Sequence, residues 1–322
     1  MKTILNLGRK LWRPVLTLAA FYPLVRIFVT DWADIRIVLS NIRWDLLLLS
    51  MLLLFLVLPL MASISWISLR FLNIDLASRK VVSIYFISQL AKYLPGGIWA
   101  FPGRMVAYRA AGVEQSRSIA SVFREVSALV LASVAVSLLI VFQDIPISKQ
   151  VQWALIIGGA ASILAILITQ TAWFWRVLKA LKVSKFSILA GSSGENSEQL
   201  TSLKWLPGAF VAGLIFWLAM GIPFLQLSRA VSPQAYTLSW VGTAAVFALA
   251  WTVGFVVFVA PAGLGVRESI LSLLLSTILP VSQAVSIALL SRLAWIVIEA
   301  IWILISIWLS REKKRILPAA PT

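Results

Sequence analysis

Apolar residues run along this chain in long stretches that contain no charged side chain. Each stretch exceeds the roughly 20 residues that an α-helix needs to cross the hydrocarbon of a bilayer. The clearest ones are Leu46–Leu69, Gln150–Trp175, Trp205–Ser228 and the longer run Ala230–Val266. This pattern predicts an all-α polytopic membrane protein with six to eight transmembrane helices.

The amino-terminal segment has a basic start and a short apolar stretch, as a signal peptide does. However, Arg26 interrupts the apolar part, and no clear cleavage site of small residues follows it. We therefore expect a first transmembrane helix that is retained.

Composition narrows the chemistry that this protein can perform. Only 12% of its residues are charged, against about 25% in an average soluble domain. Neither cysteine nor histidine occurs in its 322 residues, which excludes thiol nucleophiles, imidazole catalysis and the usual transition-metal ligands. We therefore expect no metal and no cofactor, and any enzyme activity would depend on carboxylates, hydroxyls, lysine and arginine.

The net charge of +16 is concentrated between the apolar runs, where it sets topology and contacts anionic lipid rather than nucleic acid. The positive-inside rule then places both termini in the cytoplasm of a cell (inner) membrane protein. We expect residues 1–322 to form a single integral membrane domain, with a polar cytoplasmic linker at about 176–204. The basic clusters are Lys2/Arg9/Lys10/Arg13, Arg70/Arg79/Lys80, Arg176/Lys179/Lys182/Lys185/Lys204 and Arg311/Lys313/Lys314/Arg315.

Proline and glycine interrupt two segments that are otherwise apolar enough to enter a membrane. Such a break frees backbone N–H and C=O groups, so it is tolerated only against protein or a water-filled cavity. Because the stretches around each break are short, we predict two re-entrant pairs beside about six full spans, with eight conventional spans as the alternative. The residues proposed for the breaks are Pro95, Gly96, Gly97 and Gly103 in the first segment and Pro261, Gly263 and Gly265 in the second.

The two broken segments belong to a repeated order of motifs. In each copy an arginine follows the break, and a later helix carries another arginine, within SIASVFREVSALV at 118–130 and VSIALLSRLAWIV at 285–297. The copies span about 81–142 and 246–310, and the distribution of basic residues gives them opposite orientations. This is the pattern of an inverted repeat, which in transporters surrounds a site near the middle of the bilayer.

Seven charged residues lie at membrane depth in these copies, where each one costs about 3 kcal/mol on an insertion scale. One interpretation is an arginine-lined cavity that binds an anionic group, since guanidinium matches phosphate geometry. The alternative is internal pairing of arginine with glutamate across the two repeats, which would hold the helices together. The seven are Arg104, Arg124, Glu125, Arg267, Glu268, Arg292 and Glu299.

The motifs YLPGGIWAFPGR, FREVSALV, PAGLGVRES and SRLAWIVIE resemble the lysylphosphatidylglycerol synthase transmembrane, or flippase-like, family. The resemblance runs from about residue 10 to 312 and implies a role for the break residues and for the intramembrane charges of both copies. It does not extend to a soluble synthase half, so a separate enzyme is expected to make any modified lipid. Trp99 stands where many relatives have glycine, which implies a different substrate.

Three functions fit these observations. The first is a lipid flippase or transporter, not an enzyme, whose partners are lipids with an anionic headgroup or a polyprenyl phosphate, acting alone or as a homo-oligomer. The second is a membrane glycosyltransferase using a polyprenyl-phosphate sugar, for which Asp31 and Asp34 are candidate acidic residues. The third is an accessory subunit without activity of its own.

Overall fold

The computed structural model describes residues 32–93, 99–143, 145–146, 148–169, 204–256 and 265–316. These ranges form eleven α-helices and three short 3₁₀ segments, Leu90–Tyr93, Leu139–Phe142 and Pro233–Thr237, and contain no strand. The helices are α1 Trp32–Ser40, α2 Trp44–Val57, α3 Leu60–Arg70, α4 Ser78–Gln89, α5 Ala100–Ala110, α6 Gln115–Leu138, α7 Lys149–Thr169, α8 Leu206–Val231, α9 Trp240–Val256, α10 Val266–Leu275 and α11 Val281–Ile316.

Within these ranges four helical segments are long and apolar enough to cross a membrane, which confirms a multi-pass membrane protein. The apolar runs Leu46–Leu69 and Trp205–Ser228 coincide with two of these segments. The run from Gln150 begins with α7. The long run from Ala230 is divided instead, because α8 ends at Val231 and the 17-residue α9 follows. The predicted first helix lies outside the described residues. The four segments are Trp44–Arg70, Gln115–Phe142, Leu206–Val231 and Val281–Ser310.

The centre of the bundle is made by α6, α8 and α9, which pack on one another. Small residues allow the close approach: a Cβ atom added to Gly213 of α8 would lie 2.7 Å from the Cβ of Ala132 in α6. Trp217 of α8 donates its indole N–H to the carbonyl oxygen of Leu129 at 3.0 Å. Close backbone contact and interhelical hydrogen bonds replace the hydrophobic driving force that is missing between helices in lipid.

Helices α4 and α5 form a short antiparallel pair that enters and leaves at one end of the bundle. A cluster of buried side chains joins Leu69 at the end of α3, Val81 at the start of α4, Tyr108 at the end of α5 and Val122 at the start of α6. At 1.5 Å per residue the two helices are only about 18 Å and about 16 Å long. Neither one alone matches a hydrocarbon thickness of about 30 Å.

Helices α9 and α10 form a second short pair, which begins at the opposite end. Ser239, just before α9, donates a hydrogen bond of 2.5 Å to Gln143, which follows α6. The two pairs touch where their breaks lie, since the rings of Phe101 in α5 and Phe255 in α9 have centroids 6.2 Å apart. The start of α5 and the end of α9 are therefore neighbours in the bundle.

Candidate functional site

All seven charged residues singled out from the sequence are buried, with relative exposures between 1% and 8%. Each of the three carboxylates is close to a cation. The predicted alternative, pairing of arginine with glutamate across the two repeats, is wrong in that form: each of these arginine–glutamate pairs lies within one copy, and the ion pair between the copies comes from Lys92. Of the predicted break residues, Pro95, Gly96, Gly97, Pro261 and Gly263 lie outside the described residues.

The first charged group is Arg104 of α5 with Glu125 of α6. The Nη1 of Arg104 donates to Oε1 of Glu125, and its Nε donates to the hydroxyl of Ser88 at 3.0 Å. The guanidinium carbon also lies 3.9 Å from the ring centre of Tyr85. Gly103, expected at the break, instead lies inside α5 beside this group. The pair holds α5 against α4 and α6.

The second group connects α10 to α11. Gly265 caps α10 with a φ of 83°, a left-handed conformation that glycine adopts without strain. Its N–H donates to Oε2 of Glu268 at 2.7 Å, while Oε1 of Glu268 lies 3.6 Å from Nε of Arg292. In the first group the short helix carries the arginine and the long helix the glutamate. Here the short helix α10 carries the glutamate and the long helix α11 the arginine.

The third group joins the two repeat copies. Glu299 of α11 accepts hydrogen bonds from Nζ of Lys92 at 2.5 Å and from the hydroxyl of Tyr93 at 2.6 Å. Lys92 and Tyr93 end the 3₁₀ turn directly before the first break. The carboxylate on α11 thus binds the tip of the α4–α5 pair.

Arg267 lies beside these groups without an ion pair of its own among the described residues. Its guanidinium carbon is 4.5 Å from the ring centre of Phe247 and 4.9 Å from that of Trp295. Gly254 makes room for it, since an added Cβ there would lie 3.0 Å from the Cβ of Arg267. The Nη2 of Arg267 is buried and has no hydrogen-bond partner in the part of the chain that the structure describes.

Together these side chains form what we call the central cluster. Lys92 lies near enough to Arg267 and Arg292 for their charges to repel. Three cations therefore face only two carboxylates, and the low dielectric strengthens every charge interaction there. The central cluster consists of Lys92, Tyr93, Arg267, Glu268, Arg292 and Glu299.

Arg124 contacts a different neighbour. It is 2% exposed, and its guanidinium carbon lies 5.4 Å from the ring centre of Trp205, just before α8. The two arginines that the repeat aligns, Arg124 and Arg292, thus have different surroundings.

Sequence reasoning did not single out Lys92 and Tyr93. A signal was present, because a lysine in an otherwise apolar stretch stands three residues before the proline of the first break, in KYLPGG. A cationic side chain within the membrane and beside a helix interruption is a candidate substrate-binding residue by that position alone. Among the described residues, no three acidic side chains come together as metal ligands would.

A comparison with protein families matches residues 13–302 to the model described as lysylphosphatidylglycerol synthase TM region. The chain belongs to this family. The match includes both breaks and every residue of the central cluster, and it confirms the resemblance inferred from the motifs. A search of curated proteins finds no match. Membership in the lysylphosphatidylglycerol synthase TM family supports a membrane function related to lipids.

Proposed function

We propose that this protein is a lipid transporter that moves an amphiphile with an anionic headgroup between leaflets, and that the central cluster receives the headgroup. The observation that carries this proposal is Arg267, a buried guanidinium whose Nη2 lacks a hydrogen-bond partner among the described residues. A buried unpaired cation is expensive, and one that is retained in a membrane protein usually serves a ligand or a pathway.

The chemistry of the central cluster favours a phosphate or phosphodiester group. Guanidinium presents parallel N–H donors that match two oxygens of a phosphate. Arg267 and Lys92 supply positive charge from opposite repeat copies, so an anion between them would draw both copies together. Family membership supports a lipid as the carrier of that anion.

The arrangement of the short helix pairs supports an inverted repeat with two re-entrant segments. The pair α4–α5 begins at the end of the bundle where α3 ends, whereas α9 begins beside Gln143 at the other end. We infer from these opposite starting ends that each pair returns to the side from which it begins. Breaks of this kind place polar backbone where protein or a cavity can satisfy it, which is how transporters build sites at mid-membrane.

Transport then consists of an exchange of partners at Glu299. An entering anion competes with the Glu299 carboxylate for Lys92 and Tyr93, and its binding loosens the contact between the α4–α5 tip and α11. The two pairs rock alternately and open the cluster toward one leaflet and then the other. In this proposal the protein lies in the cell membrane with both termini in the cytoplasm, has no enzyme activity, and takes lipids made by a separate enzyme.

The test is leaflet exchange by the purified protein in liposomes, with phosphatidylglycerol, its lysyl ester and a polyprenyl phosphate as labelled lipids. Arg267→Gln is the sharpest variant, because Arg267 lacks an ion pair in the described ranges and its removal strands no carboxylate. Arg70→Gln, whose side chain is 47% exposed, is the control.

We expect the wild-type protein to exchange one lipid class. Arg267→Gln should reduce the rate of that exchange at least about tenfold, which corresponds to about 1.4 kcal/mol. Arg70→Gln should exchange at the wild-type rate. No exchange of any lipid by folded protein, or an unchanged rate in Arg267→Gln, would contradict the proposal.

A further inference from the structure

An open groove of about 440 Å³ lies between α4 and α5, outside the central cluster. Its size is within the range of about 300–1,000 Å³ that is usual for small-molecule sites. Apolar residues of α4, the 3₁₀ segment after it and α5 form most of the lining: Ile84, Ile87, Leu90, Ala91, Gly103 and Ala107.

The surface of this groove offers little to water. The lining contains one further residue, Ser88, whose hydroxyl donates to the carbonyl oxygen of Tyr85 at 2.6 Å and accepts from Nε of Arg104 at 3.0 Å. A bound water needs two to four polar partners, and here the one hydroxyl is already engaged. The natural occupant of such a groove is hydrocarbon.

The small residues Gly103 and Ala91 leave the groove unfilled by side chains of the protein. Among the described residues, a Cβ atom added to Gly103 would have one neighbour within 4 Å, the Cβ of Ala91 at 3.8 Å. This is ordinary van der Waals contact, so alanine fits at Gly103, whereas a longer side chain would enter the groove. The space therefore depends on having nothing larger than a methyl group at this point.

Two residues at one end of the groove are followed in the chain by two residues of the central cluster. Leu90 and Ala91 line the groove and directly precede Lys92 and Tyr93, which bind Glu299. An occupant with a hydrocarbon chain in the groove would have its polar end beside a cationic site. The charge next to the groove thus matches an anionic amphiphile rather than a neutral one.

We propose that this groove holds one apolar chain of an anionic lipid while the headgroup of that lipid lies in the central cluster. The inference rests on the proposed function and adds to it a separate site for the chain. It accounts for an aliphatic groove that opens on the flank of the charged site. Acyl and prenyl chains share the required chemistry.

The test uses photo-crosslinking of the whole protein in nanodiscs. The probes are phosphatidylglycerol with a diazirine on one acyl chain, a prenyl phosphate with a diazirine on the chain, and a diacylglycerol with the same acyl diazirine. We expect one anionic probe to label residues 84–91 and 103–107, and the neutral diacylglycerol to label them several-fold less. Which anionic probe labels distinguishes acyl from prenyl chains.

Gly103→Leu and Ala107→Leu should each reduce this labelling at least about fivefold, whereas Gly103→Ala should retain it. Val106→Leu is the matched control, because Val106 is on the same helix but 65% exposed. Two variants that fill the groove from different positions guard against a folding defect in one of them, which thermal unfolding would reveal.

Equal labelling by the neutral probe, or labelling that Gly103→Leu and Ala107→Leu leave unchanged, would overturn the inference and indicate annular lipid. Leaflet exchange separates this inference from the proposed function. If Gly103→Leu reduces labelling but the wild-type protein exchanges no lipid, the groove site stands and the proposed function fails. If the wild-type protein exchanges lipid and both leucine variants exchange it equally well, the proposed function stands and the groove site fails.

Discussion

Lys92 and Glu299 are 207 residues apart in the sequence, and their side chains meet at 2.5 Å. The contact joins the tip of the first short helix pair to the long helix α11. Tyr93 strengthens it with a second hydrogen bond to the same carboxylate. Because the ends of this contact belong to different repeat copies, any rearrangement between the copies has to break it.

The first prediction concerns the charge of this contact. Glu299→Gln removes the carboxylate that competes with a substrate anion for Lys92, so we expect it to bind a soluble headgroup such as glycerol phosphate at least about tenfold more tightly, or about 1.4 kcal/mol. Lys92→Gln should weaken the same binding. Equilibrium binding of the radiolabelled headgroup by the purified proteins measures both changes.

Lys80→Gln is the control for charge, because Lys80 is exposed at the start of α4. Weaker headgroup binding by Glu299→Gln would show that the carboxylate supports the anion site rather than competing for it.

The second prediction concerns Arg104 and Glu125, which are 1% and 3% exposed. Glu125→Gln leaves a buried guanidinium without its counter-ion, and we expect it to lower the free energy of unfolding by about 3–5 kcal/mol. The control is Asp75→Asn. The side chain of Asp75 is 83% exposed and pairs with Arg70 at the surface, so its replacement should leave thermal unfolding in detergent nearly unchanged. Equal effects of the two variants would contradict a structural role for the buried pair.

The third prediction concerns the packing of α8 against α9. An added Cβ at Gly221 would collide with the carbonyl oxygen of Trp240 and lie 2.7 Å from the Cβ of Ala244. Gly221→Ala should therefore destabilise the protein by about 1–3 kcal/mol.

Gly158→Ala in α7 is the matched control for that substitution, because no neighbouring atom of the described residues lies within 4 Å of the added Cβ. Alanine favours a helix over glycine by up to about 1 kcal/mol, so this variant should be as stable as the wild type or more stable. Thermal unfolding measures both variants, and a stable Gly221→Ala protein would mean that α8 and α9 are not in this contact.

The fourth prediction tests whether the two tips move apart during transport. The chain contains no cysteine, so Phe101→Cys with Phe255→Cys introduces the only thiols, at positions whose rings are 6.2 Å apart. A short thiol crosslinker that reductant can cleave should stop lipid exchange, and reduction should restore it. Each single cysteine variant should exchange normally after the same treatment. Full exchange by the crosslinked protein would exclude motion between these tips.

The fifth prediction separates transport from glycosyl transfer. Asp34 lies in α1, and Asp31 lies outside the described residues. Replacing both with asparagine should leave lipid exchange unchanged, because neither belongs to the central cluster. Loss of sugar transfer from a polyprenyl-phosphate sugar in that variant, measured beside a wild-type protein that performs it, would instead favour the glycosyltransferase interpretation.

The sequence by itself determined the class of protein and the family. Crossing hydrocarbon requires about 20 apolar residues in succession, and that requirement is visible in any single stretch of chain. The breaks and the buried arginines could be found for the same reason, because proline, glycine and charge are exceptions to an apolar pattern.

Only the tertiary structure decided which charges meet. Glu125 binds Arg104 in the first copy, whereas in the second copy the signs are reversed, with Glu268 on the short helix and Arg292 on the long one. The partners of Glu299 come from the other copy. Helical periodicity reports which residues share a face of one helix, but the packing of helices distant in sequence determines what that face contacts.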